Sequence, residues 1–208
     1  MRSTNETRQN TNSNIHWLKP EQVEAMRDAA YEGQHGPRDD GIVTLLYDTG
    51  LRRAELSQVD RAMLDLDKGE LRIPAEIQKD YPNENTPSAA IFKLDQSGEL
   101  RTVRTLRAFI SSQDMRNSAL FPSRKSDRMS GKGINDVVKR LAERAGIEPY
   151  AHCGRGTAAN VSAHTLRHSV AWRILRLEDG NTLYDVRNRL RHATILTTER
   201  KYDHFERI

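Results

Sequence analysis

The chain has 208 residues, with 33 Lys+Arg against 29 Asp+Glu, a formal net charge of +4 and a single cysteine, Cys153. That length suffices for one domain with a buried core, and the lone cysteine excludes an internal disulfide or a multi-cysteine zinc site. No run approaches eighteen consecutive apolar residues and the opening MRSTNETRQNTNSN has no apolar stretch of signal-peptide type, so a soluble, cytoplasmic chain is expected.

In chain order, residues 1–15 are polar, rich in Asn and Thr, and expected to be disordered. KPEQVEAMRDAAYE places Pro20 at a helix start, with Val23, Met26 and Ala30 at helical spacing. DDGIVTLLYDTG predicts a buried helix ending at Gly50, and LRRAELSQVD restarts as another. MLDLDKGELRIP sets Leu64, Leu66, Leu71 and Ile73 around Asp67-Lys68-Gly69, which predicts a hairpin. After the polar KDYPNENTP, SAAIFKLD supplies a third strand.

GELRTVRTLRAFISS repeats Leu100, Val103, Leu106 and Ile110, and GINDVVKRLAERAG repeats Ile134, Val137 or Val138, Leu141 and Ala145, as amphipathic helices. PYAHCGRGTAANVS is expected to be a loop. SAHTLRHSVAWRILRLEDG follows as a helix capped by Ser162, and NTLYDVRNRL and TILTTERKYDHF complete the helices. The fold class is therefore α+β: a mostly helical domain with a small three-stranded antiparallel sheet.

Charge is unevenly distributed. Residues 1–100 carry 12 Lys+Arg against 18 Asp+Glu, whereas residues 101–208 carry 21 against 11. A basic C-terminal half suits a nucleic-acid face. Of the 33 cations 25 are arginine, the side chain that grips phosphate with parallel donors.

Three clusters carry candidate chemistry. Arg52 follows the turn at Gly50, with Glu55 three residues on, able to orient a neighbour. In HTLRHS, His164, Arg167 and His168 stand at i, i+3 and i+4 and share the face of one helix turn, while Leu166 and Val170 anchor it. There an arginine fork suits a phosphate and a histidine can move a proton. LRHATILTTERKYDHF carries His192 and, ten positions on, Tyr202, a nucleophile only where something removes its proton or stabilises its phenolate. Each has a plainer reading: an exposed Arg-Glu pair, a core histidine, a packing tyrosine.

TGLRRAEL, HTLRH and LRHATILTTERKYDH, in this order and with a hairpin between the first two, resemble the catalytic domain of tyrosine recombinases of the phage-integrase and Xer type, archaeal and archaeal-virus members especially. The resemblance covers residues 16–208 and implies one catalytic domain without an N-terminal core-binding domain. By it, Arg52, Lys79, His164, Arg167, His192 and Tyr202 are the catalytic set, with Lys93 the fallback for the lysine and Lys68 less suitable. Glu55 and His168 are supporting residues.

The resemblance further implies attack of Tyr202 on a DNA phosphodiester, giving a 3′-phosphotyrosine, with Arg52 and Arg167 on the phosphate oxygens. Lys79 would protonate the leaving 5′ oxygen, His164 would help deprotonate Tyr202, and His192 would hydrogen-bond the phosphate. No cofactor and no metal are called for. The partners implied are double-stranded DNA recombination sites, with monomers in solution, a tetramer on paired sites, and nucleoid association.

This chain departs from the family at Arg191, where many members have glycine, and Arg191 is expected to touch DNA backbone, as is Arg53. The interval from His192 to Tyr202 is one residue longer than in bacterial Xer proteins, which raises the expectation of a bulge or extra turn before Tyr202. Alternatives of other classes are a type IB topoisomerase-like relaxing enzyme and a non-catalytic DNA-binding regulator. The complete set ending in Tyr202 argues against the regulator. A metal site at His152 and Cys153 with His164 or His168 is disfavoured, because one cysteine in a Gly-rich loop is a poor ligand framework.

Overall fold

In the computed structural model, which describes residues 15–79, 87–113, 117–124 and 126–205, the central element is a helix buried on every side. The polar tail 1–15, apart from Ile15, and most of the connection 79–87 lie outside the described residues. The chain runs β1 (His16–Trp17), α1 (Pro20–Ala30), α2 (Gly36–Thr49), α3 (Arg53–Gln58), β2 (Leu64–Asp65), β3 (Glu70–Ile73), β4 (Ala90–Lys93) and α4 (Thr102–Ser111). It continues through α5 (Gly131–Arg144), β5 (Tyr150–Ala151), α6 (Ala163–Arg176), α7 (Leu183–Leu190) and α8 (Ile195–Tyr202).

Every residue of α2 from Asp39 to Thr49 is buried, and α1, α4, α5 and α6 all pack against it. Its buried carboxylates survive because each is paired, since an unpaired interior charge is costly. Asp40 accepts from Arg27 Nε at 2.7 Å, from Thr44 Oγ1 at 3.0 Å and from the Tyr31 hydroxyl at 3.0 Å. Asp48 accepts from Arg189 Nη2 at 2.7 Å and from the Asp95 backbone N–H at 2.8 Å. Gly50 ends the helix in the left-handed conformation at φ 68°, which glycine adopts without a side-chain penalty.

The sheet is antiparallel in the order β2-β3-β4, with Leu71 opposite Phe92 and Ile73 opposite Ala90. Leu71, Ile73 and Phe92 turn one face into the core, as strand alternation requires. The mostly helical α+β class, the hairpin and the third strand are as the sequence predicts.

Two elements differ from expectation. α4 begins at Thr102, leaving Leu100 outside it, because Arg101 takes a left-handed φ of 53° that a helix cannot include. The stretch PYAHCGRGTAANVS is only partly loop: Tyr150–Ala151 pairs antiparallel with His16–Trp17, and residues Ala158–Asn160 form a 3-10 turn. That two-stranded ribbon fastens the start of the domain to the segment entering α6. The Leu18 N–H donates to Ser169 Oγ in α6 at 2.7 Å.

Candidate active site

Three chain turns converge around the first turns of α6. Ser162 caps that helix by accepting from the Thr165 N–H at 3.2 Å, so the helix direction is set at its first residue. Leu166 and Val170 are fully buried and fix its rotation. His164, Arg167 and His168 then project on the other side, toward α3 and α8.

Arg167 is 2% exposed, and its guanidinium donates to two backbone carbonyls, Nη1 to Gly50 O and Nη2 to Leu190 O. It therefore joins the ends of α2 and α7, with no carboxylate partner among the described residues. Burial, with the nearby charge of Arg52, lowers its pKa to about 9, which leaves it cationic at neutral pH.

At the start of α3, Glu55 is 1% exposed and shared between two arginines. Its Oε1 accepts from Arg52 Nη1 at 2.9 Å, and its Oε2 from the Arg52 N–H at 2.8 Å and from Arg191 Nη2 at 2.6 Å. Burial alone would raise the pKa of Glu55; Arg191, the Arg52 N–H and the Arg52 charge outweigh it and hold the carboxylate ionised.

An open cleft of about 700 Å³ lies in front of these groups, lined by Arg52, Arg53, Lys79, Lys139, His164 and Arg167 together with Asn135 and Ser162. Among the described residues, no carboxylate lines it. Such a surface attracts anions, and a phosphodiester fits its donors. Of the three lysines weighed from sequence, only Lys79 reaches the cleft. Lys93 pairs with Glu70 and borders a different cavity, and Lys68 pairs with Asp65 at 3.0 Å.

Tyr202 lies behind this wall, fully buried at the end of α8. Its hydroxyl is 2.7 Å from His168 Nδ1. His168 in turn meets the ring of His164, with centroids 4.3 Å apart. His192 stacks on the Tyr202 ring at 6.0 Å and 12°, and its Nδ1 pairs with Thr198 Oγ1 at 2.9 Å. α8 runs regularly from Ile195, capped by Thr194, so the extra residue before Tyr202 makes no bulge.

Burial, reinforced by neighbouring positive charge, depresses all three histidines. His192 falls to about 3 and His168 well below its ordinary value. His164, exposed at the rim, falls to about 4 through desolvation and the charges of Lys201, Arg167, Arg52 and Arg53. Burial pushes the Tyr202 phenol well up, although Arg167 and Arg52 oppose it. Both partners are thus neutral, and in the Nε2–H tautomer of His168 the Tyr202 O–H donates to Nδ1, the arrangement that proton removal from the tyrosine needs.

The structure therefore gathers Arg52, Arg53, Lys79, His164 and Arg167 at the cleft and Tyr202, His168 and His192 behind it. Arg191 stands elsewhere than the sequence suggested. It takes a left-handed φ of 53° after α7, and its guanidinium is buried against Glu55 and, at 2.7 Å, Gln78 Oε1. Its side chain is 9% exposed and turned onto these two partners. Sequence reading missed Lys139, Asn135 and Lys201; the charge of Lys201 acts on His164, His168 and His192, and its position beside Tyr202 was the available signal.

A family model described as the phage integrase family matches residues 16–207. The chain belongs to the phage integrase family. Within that family it is similar to tyrosine recombinase XerC of Vibrio vulnificus strain YJ016, at 33% identity over 162 residues, 78% of this chain and 45% of that protein. Against XerC of Bifidobacterium longum subsp. infantis the identity is 29% over 180 residues, 86% of this chain and 46% of that one. This integrase-family chain thus spans about half the length of the curated relatives it matches.

Among solved structures it resembles the XerA recombinase, with TM-score 0.69 and 22% identity, covering 92% of this chain and 58% of that one. It also resembles the Tn1549 transposon integrase in complex with transposon right end DNA, with TM-score 0.70 and 14% identity, covering 97% and 64%. At those identities the likeness establishes the integrase fold.

Proposed function

We propose that residues 16–208 form a tyrosine-recombinase catalytic domain that cleaves and rejoins double-stranded DNA at recombination sites through a 3′-phosphotyrosine on Tyr202. The observation that carries this reading is the cleft bearing Arg52, Arg167, Lys79 and His164, with no carboxylate among the described residues that line it, backed by a tyrosine whose hydroxyl is already hydrogen-bonded to a neutral histidine. Membership of the phage integrase family supports it.

The scissile phosphate binds between Arg52 and Arg167, whose charges offset the negative charge that grows on the phosphorane. Tyr202 Oη attacks phosphorus as its proton passes to His168 Nδ1, with His164 next in line toward the cleft. The P–O5′ bond breaks, and the 5′ oxygen leaves as a hydroxyl with a proton from Lys79. One phosphoester replaces another, so no external energy source is consumed, and the arginines supply the charge stabilisation that metal ions give other phosphoryl-transfer sites. His192 holds the ring of Tyr202 until attack, when the side chain must leave its enclosure for the cleft. By resemblance, four copies act on a pair of sites.

The test is a suicide substrate: nicked duplexes carrying candidate attachment sites, incubated in EDTA, with denaturation-resistant protein–DNA adducts resolved on a gel. An adduct that Tyr202→Phe abolishes is expected. An adduct retained by Tyr202→Phe, or no adduct on a duplex that the protein binds specifically, overturns the reading.

A further inference from the structure

Arg191 occupies a place that ordinary backbone economy would give to glycine. It follows α7 with φ 53°, a region costly for a residue with a Cβ. Its guanidinium is nonetheless committed to three surroundings: Nη2 on Glu55 Oε2 at 2.6 Å, Nη1 on Gln78 Oε1 at 2.7 Å, and the face of Phe92 at 5.0 Å.

These partners matter for where they lead. Glu55 holds Arg52 at 2.9 Å. Gln78 is 8% exposed and closes the base of the β3–β4 connection, its Nε2 donating to Ile73 O at 3.1 Å and Ser88 O at 2.8 Å. With both amide ends of Gln78 engaged, the next residue, Lys79, leaves a fixed point and enters the cleft. The residue after Arg191 is His192. One guanidinium therefore sets the relative positions of the segments that carry Arg52, Lys79 and His192.

We infer that Arg191 is a positioning residue of the strand-transfer site, whose main effect is to hold Lys79, through Gln78, at the leaving 5′ oxygen. The inference rests on the phosphotyrosine reading above. It assigns to an inward-facing arginine the alignment of a lysine one residue beyond the anchored Gln78.

Sulfur in place of the bridging 5′ oxygen gives a test, because a thiolate leaves without needing a proton. Single-turnover adduct formation is measured on oxygen and sulfur versions of one nicked duplex, with wild type, Lys79→Ala, Arg191→Gly and Arg191→Lys. Glycine suits the backbone at this position, so Arg191→Gly removes the guanidinium without straining φ; Arg191→Lys keeps charge but cannot serve Glu55 and Gln78 together.

The expected result is a loss of about tenfold to hundredfold for Arg191→Gly on the oxygen substrate, restored to within a few fold of wild type on the sulfur substrate, as for Lys79→Ala. Arg191→Lys shows the same pattern with a smaller loss. Wild-type rates for Arg191→Gly on oxygen, or an equal loss on both substrates, overturn the inference. Sulfur rescue of Arg191→Gly without rescue of Lys79→Ala overturns the route through Lys79. Absence of any wild-type adduct on either substrate overturns the phosphotyrosine reading itself, a distinguishable failure.

Discussion

His168 Nδ1 stands 2.7 Å from the Tyr202 hydroxyl, whereas His164, four residues earlier on the same helix face, meets the His168 ring and lines the cleft. The two histidines should therefore behave differently when removed. His168→Ala orphans a buried phenol and is expected to cost about 1–3 kcal/mol of stability and about a hundredfold or more in single-turnover cleavage. His164→Ala, at the exposed rim, should leave thermal stability nearly unchanged and slow cleavage less. A larger cleavage loss in His164→Ala than in His168→Ala would reverse their assigned roles.

Acid should unfold this protein early. His168 and His192 are buried with folded-state pKa values below the ordinary 6.5, His192 at about 3. Below pH 6.5 the unfolded chain binds protons that the folded chain refuses, so their contribution is complete above pH 6.5 and is lost as pH falls toward the folded values. The limiting slope is about 1.4 kcal/mol per pH unit for each histidine. Urea midpoints between pH 7.5 and 5 should fall accordingly, and His192→Asn should flatten the fall. A midpoint independent of pH over that range would contradict the burial described for these rings.

Gly50 is expected to tolerate no side chain. A Cβ there would stand 2.5 Å from Leu190 Cδ2, and φ is 68°. The left-handed backbone alone costs an alanine about 1–2 kcal/mol. The clash adds to this by moving Leu190, whose carbonyl, like that of Gly50, receives Arg167. Gly50→Ala should lower Tm and cleavage together, measured by melting and adduct formation; an unchanged Tm would refute the close approach.

Anions should stabilise the folded state specifically. The charge of Arg52 bears on Arg167, and among the described residues the cleft they line has no carboxylate. Ligand binding at 100 times Kd adds about 2.7 kcal/mol. Inorganic phosphate should raise Tm more than chloride at equal ionic strength, and Arg52→Ala should remove most of the difference while keeping the general salt effect. Equal responses in both proteins would mean the cleft does not collect phosphate.

Much of this was legible in sequence because it was local. The Ser162 cap, the i, i+3, i+4 cluster of His164, Arg167 and His168, the Glu55 partnership and the hairpin each follow from spacing within a few residues. What was not legible depended on distant partners. Spacing puts His164 and His168 on one face but cannot say which lies beneath α8. Arg191 looked like a free cation because Gln78, 113 positions away, and Glu55, 136 positions away, meet it only in three dimensions. The pairing of His16–Trp17 with Tyr150–Ala151 has two residues on each side, too short for any periodicity.

The hydrogen bond from Leu18 to Ser169 has a mechanical meaning. Ser169 follows His168 directly, and its hydroxyl is held between the Leu18 N–H at 2.7 Å and the Thr165 carbonyl at 2.8 Å. One residue before Leu18, Trp17 meets Phe205 edge-on at 4.8 Å, and Phe205 stacks on Tyr202. A pull on residues 15–18 thus reaches His168, against the tyrosine hydroxyl, along α6, and the tyrosine ring through Phe205. The entrance to the domain is a lever whose two arms end on either side of the same 2.7 Å hydrogen bond.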